Sequence, residues 1–239
     1  MQRFWLLIFL LFAPVSSAFG ITLLSNIREA CEGDYLVAQQ NRTCTLILVS
    51  QKQGDQAVLE EVTLPERMGR PKTIHWKNWL EKGAPRHTSW TAHVLDLKTG
   101  RVVGTYSYAQ NSWMKASPTE SLLSTLITLD FHEVPEAYRR RVGPPPPGGK
   151  DNRPYWQPAL VYEGSRRREV IFKAFEGNWP QDRSELDGKR VTIYLPASEV
   201  AYPAHFPYWV EVSPLTLANK IRVIDSGRSL LSPKPKLLR

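Results

Sequence analysis

About ten short runs rich in β-branched and aromatic residues, most of them alternating apolar with polar, limit what this chain can fold into more than any single motif does. They fall at 34–40, 43–51, 57–64, 89–97, 101–109, 159–162, 167–176, 189–195, 206–212 and 220–225. The links between neighbours are short and rich in turn residues, Gln53-Gly54-Asp55 among them, which favours antiparallel pairing. No strand–helix–strand rhythm and no repeat of fixed period interrupts the series. Helical signals are few. Ile21, Leu24, Ile27 and Ala30 share one helix face, and a short helix is expected inside the irregular stretch 69–88. Ser117-Pro118-Thr119-Glu120 has the form of a capping box opening a helix that runs to Leu126, and Pro135–Arg141 holds a further turn or two. The pattern is that of an α+β domain: one curved, mainly antiparallel sheet with a few short helices packed on it.

The sharpest local expectation is a hairpin of Ser89–Leu97 with Arg101–Ala109. Lys98-Thr99-Gly100 supplies a three-residue loop with glycine where a positive φ is needed. If Leu97 faces Arg101, Val94 lies opposite Gly104, Ala92 opposite Tyr106 and Trp90 opposite Tyr108. Period-two alternation then gathers these side chains on one face.

The chain begins with Met1-Gln2-Arg3, an apolar run from Phe4 to Val15, and Ser16-Ser17-Ala18, the form of a secretory signal peptide cut after Ala18. That apolar run falls short of the roughly 20 residues a membrane-crossing helix needs. The expected product is exported, periplasmic or extracellular, and soluble or peripheral to a membrane. After residue 18, 19–225 reads as a single β-rich domain, with Val142–Arg153 (VGPPPPGGKDNR) as a Pro-rich loop and 226–239 as a loose basic tail. A split into two domains at the Pro-rich segment is the alternative. In an oxidising compartment the two cysteines, Cys31 and Cys44, are expected to form a disulfide; their spacing and the lack of a nearby histidine disfavour a metal site.

The formal net charge is +8. Export removes the chain from nucleic acid, so an anionic membrane surface or acidic envelope polymer is the partner such a charge would favour. The basic residues concentrate twice, in Arg139-Arg140-Arg141 and Arg166-Arg167-Arg168. Each reads either as an anionic surface contact or as a solvated face. Signatures of catalysis are missing: no G-x-S-x-G elbow, phosphate-binding loop, H-E-x-x-H or G-x-G-x-x-G motif occurs. His75, His87, His93, His132 and His205 lack ligand spacing, so no metal and no cofactor is expected. Aromatic residues are the remaining signal. Trp90, Tyr106, Tyr108, Phe172, Tyr194 and Trp209 lie in or beside strands, where they either fill a β-rich core or line an apolar ligand cavity.

Lys189–Val212 (KRVTIYLPASEVAYPAHFPYWVEV), a strand ending Tyr-Leu-Pro followed by Phe-Pro-Tyr-Trp and a second strand, resembles the periplasmic lipoprotein carriers. The resemblance implies a half-open β-barrel: a strongly curved antiparallel sheet closed by helices, with lipid acyl chains held between them. It transfers no individual residue, and neither the cysteine pair nor the polyproline loop belongs to its pattern. The resulting expectation is an exported, non-enzymatic envelope protein. It would bind a lipid or lipidated protein on the concave face of its sheet, lined by the six aromatic residues above. An exported interaction protein using its basic surface and Pro-rich loop is the alternative, and an envelope-polymer hydrolase a second one.

Overall fold

The structure is a computed structural model and describes residues 20–68, 74–115, 118–148, 150–197, 201–213 and 220–238. The expected signal peptide, 1–18, lies outside the described residues, as does the serine that would cap the helix at 118. Among the described residues eleven strands form one antiparallel sheet. In chain order the elements are α1 (Leu23–Glu29), β1 (Tyr35–Gln40), β2 (Thr43–Gln53), β3 (Gln56–Pro65), α2 (Trp76–Glu81), β4 (Ser89–Asp96), β5 (Val102–Ser107) and β6 (Ser112–Trp113). There follow α3 (Pro118–Thr128), β7 (His132–Glu133), β8 (Leu160–Tyr162), β9 (Ser165–Arg167), β10 (Phe172–Asn178), β11 (Arg190–Pro196), β12 (Trp209–Val212) and β13 (Lys220–Gly227). Across the sheet the order is β6-β5-β4-β3-β2-β1-β13-β12-β11-β10-β7, with β8 and β9 forming a separate small hairpin.

Two meanders therefore meet at the centre, where the first strand of the chain pairs with the last. Away from the loop the hairpin of β4 and β5 has the expected register: Val94 faces Gly104, Ala92 faces Tyr106, and the Tyr108 N–H donates to Trp90 O. Nearer the loop a bulge after Val94 sets Leu95 against Val102, so Asp96 rather than Leu97 meets Arg101. A different outcome holds for the hairpin expected from 159–162 and 167–176. Glu163 and Gly164 both take positive φ (49° and 74°), a two-residue turn that closes β8 directly onto β9. The chain then leaves through exposed residues and β10 joins the main sheet beside β11.

Outer strands β6 and β7 do not pair, so the sheet stays open, and it is bent around α1. Leu23 belongs to the core cluster of β10–β12 (Phe175, Val191, Ile193, Val210), while Leu24 and Ile27 belong to that of β2–β4 (Val49, Leu59, Leu95). In a flat sheet β3 and β11, five strand spacings apart, would be separated by roughly 24 Å. A helix of α1's length spans about 10 Å. One short helix can serve both arms only because the sheet curls toward it. The fold is thus α+β, a curved, unclosed antiparallel sheet with a few short helices. Its concave side is filled by α1 and by α3, whose Ile127 is 2 % exposed.

Two further expectations are corrected. Cys31 and Cys44 are free thiols. Gly33 N–H donates to Val49 O, which places Cys31 at the far end of β2, whereas Cys44 is that strand's second residue and faces Gln39. The strand rise of about 3.3 Å per residue puts them well over 10 Å apart, beyond the reach of a disulfide. The tail after β13 is not loose either. It runs back over the outer face of β2–β5 with Leu230 fully buried. The Pro-rich stretch is a loop whose arms are tied together: Val142 N–H donates to Pro154 O and Trp156 N–H to Arg140 O.

Candidate functional site

Alternation along the strands places Trp90, Tyr106, Tyr108, Phe172, Tyr194 and Trp209 on a single face of the sheet, as cross-strand pairing requires. It is the convex face, opposite α1, and not the concave one expected for a ligand. The six also divide between the two arms. Trp90 has no exposed surface; its indole N–H donates to Glu60 Oε2 (2.9 Å), His87 meets its ring at 5.4 Å and Tyr108 at 6.0 Å. Tyr106 stands between Tyr108 and the exposed Trp113. Phe172 and Tyr194 are buried against Tyr208 and Trp156. Five of the six are thus packing residues. Phe172 also borders a separate cleft beside Arg166–Arg168, and Trp209 lines an open site.

That site is a cleft of about 1050 Å³ on the convex face, over the junction of the two meanders. Its floor is Gln39 of β1, Trp209 of β12 and Arg222–Asp225 of β13. The pairing of β1 with β13 slips between Val37 and Ala38, which face Asp225 and Val223, leaving Ile224 as the extra residue of a bulge. A bulge re-aims side chains, and here Arg222, Ile224 and Asp225 all border the cleft. One wall is Glu66, Ile74 and Trp76, the last at the start of α2. The opposite wall is the arm carrying Trp156, Pro158, Ala159, Val161, Gly164 and Arg166.

Each wall is fixed by its own chemistry. The Trp156 ring meets Tyr194 at 5.2 Å and Trp209 at 4.9 Å, both edge-on, and the Arg140 guanidinium lies 4.6 Å from it. Trp209 donates its indole N–H to Glu211 Oε2 (2.9 Å). At the hairpin tip Lys77 of α2 pairs with Glu163 at 2.5 Å, joining the two walls, and this contact holds the Glu163 carboxyl below its ordinary pKa. Gly164 N–H donates to Asp225 Oδ1 (3.0 Å) and ties the arm to the floor. Desolvation raises the pKa of Asp225, an effect partly offset by that hydrogen bond.

The polar groups of the floor are engaged with one another. Arg222 donates through Nε (2.9 Å) and one terminal nitrogen (2.7 Å) to Gln39 Oε1, and Gln39 Nε2 donates to Glu66 Oε1 (3.3 Å). The result is a trough bordered by the partly exposed rings of Trp156 and Trp209 and the buried Trp76, with Val223 and Ile224 in its floor and a guanidinium held in place by an amide. Among the described residues no group of three or more His, Cys, Asp and Glu side chains is placed to hold a metal ion. Nor is any helix there long and apolar enough to cross a membrane.

Reading the sequence finds Trp209 and, as part of a basic cluster, Arg166, and misses the rest of the trough. Trp76 sits in the stretch that has no clear period, and Trp156 belongs to a segment whose position depends on the Pro-rich loop. The Arg139–Arg141 cluster resolves as structural: Arg139 donates to Phe172 O (2.7 Å), Arg140 stacks on Trp156 and Arg141 donates to Arg153 O (2.6 Å). Arg166, Arg167 and Arg168 are by contrast exposed.

The family model described as CT021 protein matches residues 45–168, from β2 through the hairpin of β8 and β9. No curated protein matches the chain. Among solved structures it is similar to the 2.0 Å structure of the hypothetical protein CT021 from Chlamydia trachomatis. The TM-score is 0.65 at 17% identity, covering 92% of this chain and 98% of that one. At that identity the likeness is one of fold.

Proposed function

This chain belongs to the CT021 protein family, and we propose that it binds an amphiphile, a lipid or the lipid moiety of a lipidated protein, in the trough on the convex face of its sheet. The observation that carries this reading is the placement of Trp76, Trp156 and Trp209 around one open cleft beside Arg222 and Arg166. Indole faces give an alkyl chain large apolar contact, and the guanidinium groups suit an anionic head group. The cleft is at the upper end of the size range of small-molecule sites, about 300–1000 Å³. Gln39 fixes Arg222 through two of its nitrogens and leaves its other terminal nitrogen for a head group, and Arg166 is exposed at the rim. Asp225 is committed to Gly164.

The reading keeps the expectation of an exported envelope protein and moves the ligand. In the lipoprotein carriers the resemblance suggests a cavity between helices and concave sheet. Here that side is packed with Leu23, Leu24, Ile27 and Phe131, and a smaller cleft of about 350 Å³ opens at its rim.

A titration with a dansyl-labelled fatty acid, read by energy transfer from tryptophan, tests the proposal. Trp209→Ala is expected to weaken binding about tenfold, a loss near 1.4 kcal/mol. Trp113→Ala, which removes an exposed ring outside the trough, is expected to leave affinity unchanged. Absence of saturable binding, or equal loss in both variants, would overturn the proposal.

A further inference from the structure

The second open question on the convex face is what the tail is doing there. Residues 229–238 (SLLSPKPKLL) cross β2–β5 without joining the sheet as a strand, and a series of specific contacts holds them. Leu230 N–H donates to Gly33 O (3.0 Å). Ser232 Oγ donates to Glu60 Oε2 (2.8 Å), the same oxygen that accepts from Trp90. The Lys234 ammonium sits 4.3 Å from the Trp90 ring and 5.4 Å from that of Tyr108. Tyr108 donates its hydroxyl hydrogen to Pro235 O (3.2 Å). Gln51 Oε1 accepts from both Leu237 N–H and Leu238 N–H at 2.9 Å, and those two leucines pack over Val58, Ala92 and Val94.

Two features separate this from ordinary packing. The receiving surface carries recognition chemistry of its own: a fully buried carboxylate, Glu60, whose Oε1 has no hydrogen-bond partner; two aromatic rings around an ammonium; and a glutamine that reads backbone N–H groups. The segment seated on it is shallow. Leu231, Pro233, Pro235 and Lys236 are exposed, and no main-chain ladder fastens it. Leu230 anchors the segment in the core. Beyond it, few buried contacts and little backbone pairing are the marks of a stretch that opens locally without unfolding the rest.

We infer that the convex face of β2–β5 is a peptide-binding groove. It recognises an extended, lysine- and proline-containing segment through Glu60, Trp90, Tyr108 and Gln51, and in this chain its own tail occupies it in cis. Of the aromatic strand residues singled out in the sequence, Trp90 and Tyr108 are the ones that meet the tail. The groove admits such a segment from another polypeptide only when the tail lifts, so the tail sets the concentration at which a competing peptide binds. The complementarity is local: the Trp90 and Tyr108 ring faces meet the Lys234 ammonium, and the buried Glu60 carboxyl accepts from Ser232.

The test uses the full chain in two forms, unmodified and with Ser232→Ala and Lys234→Ala together, which loosen the tail while leaving the groove intact. A fluorescein-labelled peptide of residues 229–238 is titrated into each and followed by anisotropy. Hydrogen exchange at Leu237 and Leu238 is measured in parallel on the unmodified chain. The inference expects at least tenfold tighter binding to the loosened chain, loss of that binding when the peptide's own Lys234 is replaced by alanine, and faster exchange at Leu237 and Leu238 when peptide is added. Equal affinity for the two chains would mean the peptide binds elsewhere and would overturn the inference. So would no binding to either chain, or binding that ignores the peptide's lysine.

Discussion

Cys44 is buried near the start of β2, and desolvation pushes its thiol up to about 11, while Cys31 is exposed in the segment before β1 that lies beside the far end of β2. Since the thiolate is the reacting form, iodoacetamide at pH 8 is expected to modify one thiol in the native protein and the second only after unfolding. Intact mass checks this: modification that waits for a reductant would mean a disulfide. His205 offers a second test. It is buried with its Nε2 3.2 Å from Ile47 O, and burial lowers its pKa to about 4, against an ordinary 6.5. Below pH 6.5 the unfolded chain takes up a proton that the folded chain refuses, so stability falls between pH 6.5 and about 4, by at most about 3 kcal/mol. Asp34 and Asp225, raised by burial, act in the opposite sense. Urea unfolding of the protein and of His205→Gln at pH 7 and pH 4.5 isolates the histidine. The wild-type chain should lose more stability on acidification than the variant, and parallel curves would contradict the assignment.

At the scale of elements, the pairing of β1 with β13 holds the molecule together, because it is the seam between the two meanders. Tyr35 lies against Gly227 there, and a Cβ on Gly227 would meet the Tyr35 ring at 2.6 Å. Gly227→Ala is therefore expected to destabilise the fold by about 1–3 kcal/mol, as overpacking does. A urea midpoint unchanged from the parent would show that the seam yields. This seam also marks what the sequence can disclose. The register of β4 with β5 is legible from the short glycine-ended connection as far as Val94 and Gly104, whereas the bulge between Val94 and Leu95 has no signal in the spacing. The pairing of Tyr35 with Gly227 joins residues near opposite ends of the chain, and no local spacing encodes it. The departure of β10 to the main sheet turns on Glu163 adopting positive φ, a conformation its residue type does not advertise. For the tail, prolines and lysines gave the impression of a solvated end, whereas Leu230, Leu237, Leu238 and the stem of Lys234 carry its packing.

Over the whole molecule, one bend organises both faces. Curling toward α1 fills the concave side with aliphatic core, and the convex face is left to the α2 wall, the Trp156 arm and the tail. The trough draws on Gln39, Trp76, Trp156, Trp209 and Arg222, which come from five separate segments, so only Trp209 could be picked from a strand pattern. Curvature itself was readable from the train of antiparallel strands; the side on which it leaves room was not, because that depends on where α1 docks. The central claim is that the trough carries an amphiphile. Native mass spectrometry of the protein recovered from its own cells without detergent exchange addresses it most directly. The expected result is an added mass that is lost on denaturation, extracts as lipid and is reduced in Trp209→Ala. A bare polypeptide mass in every preparation would contradict the account.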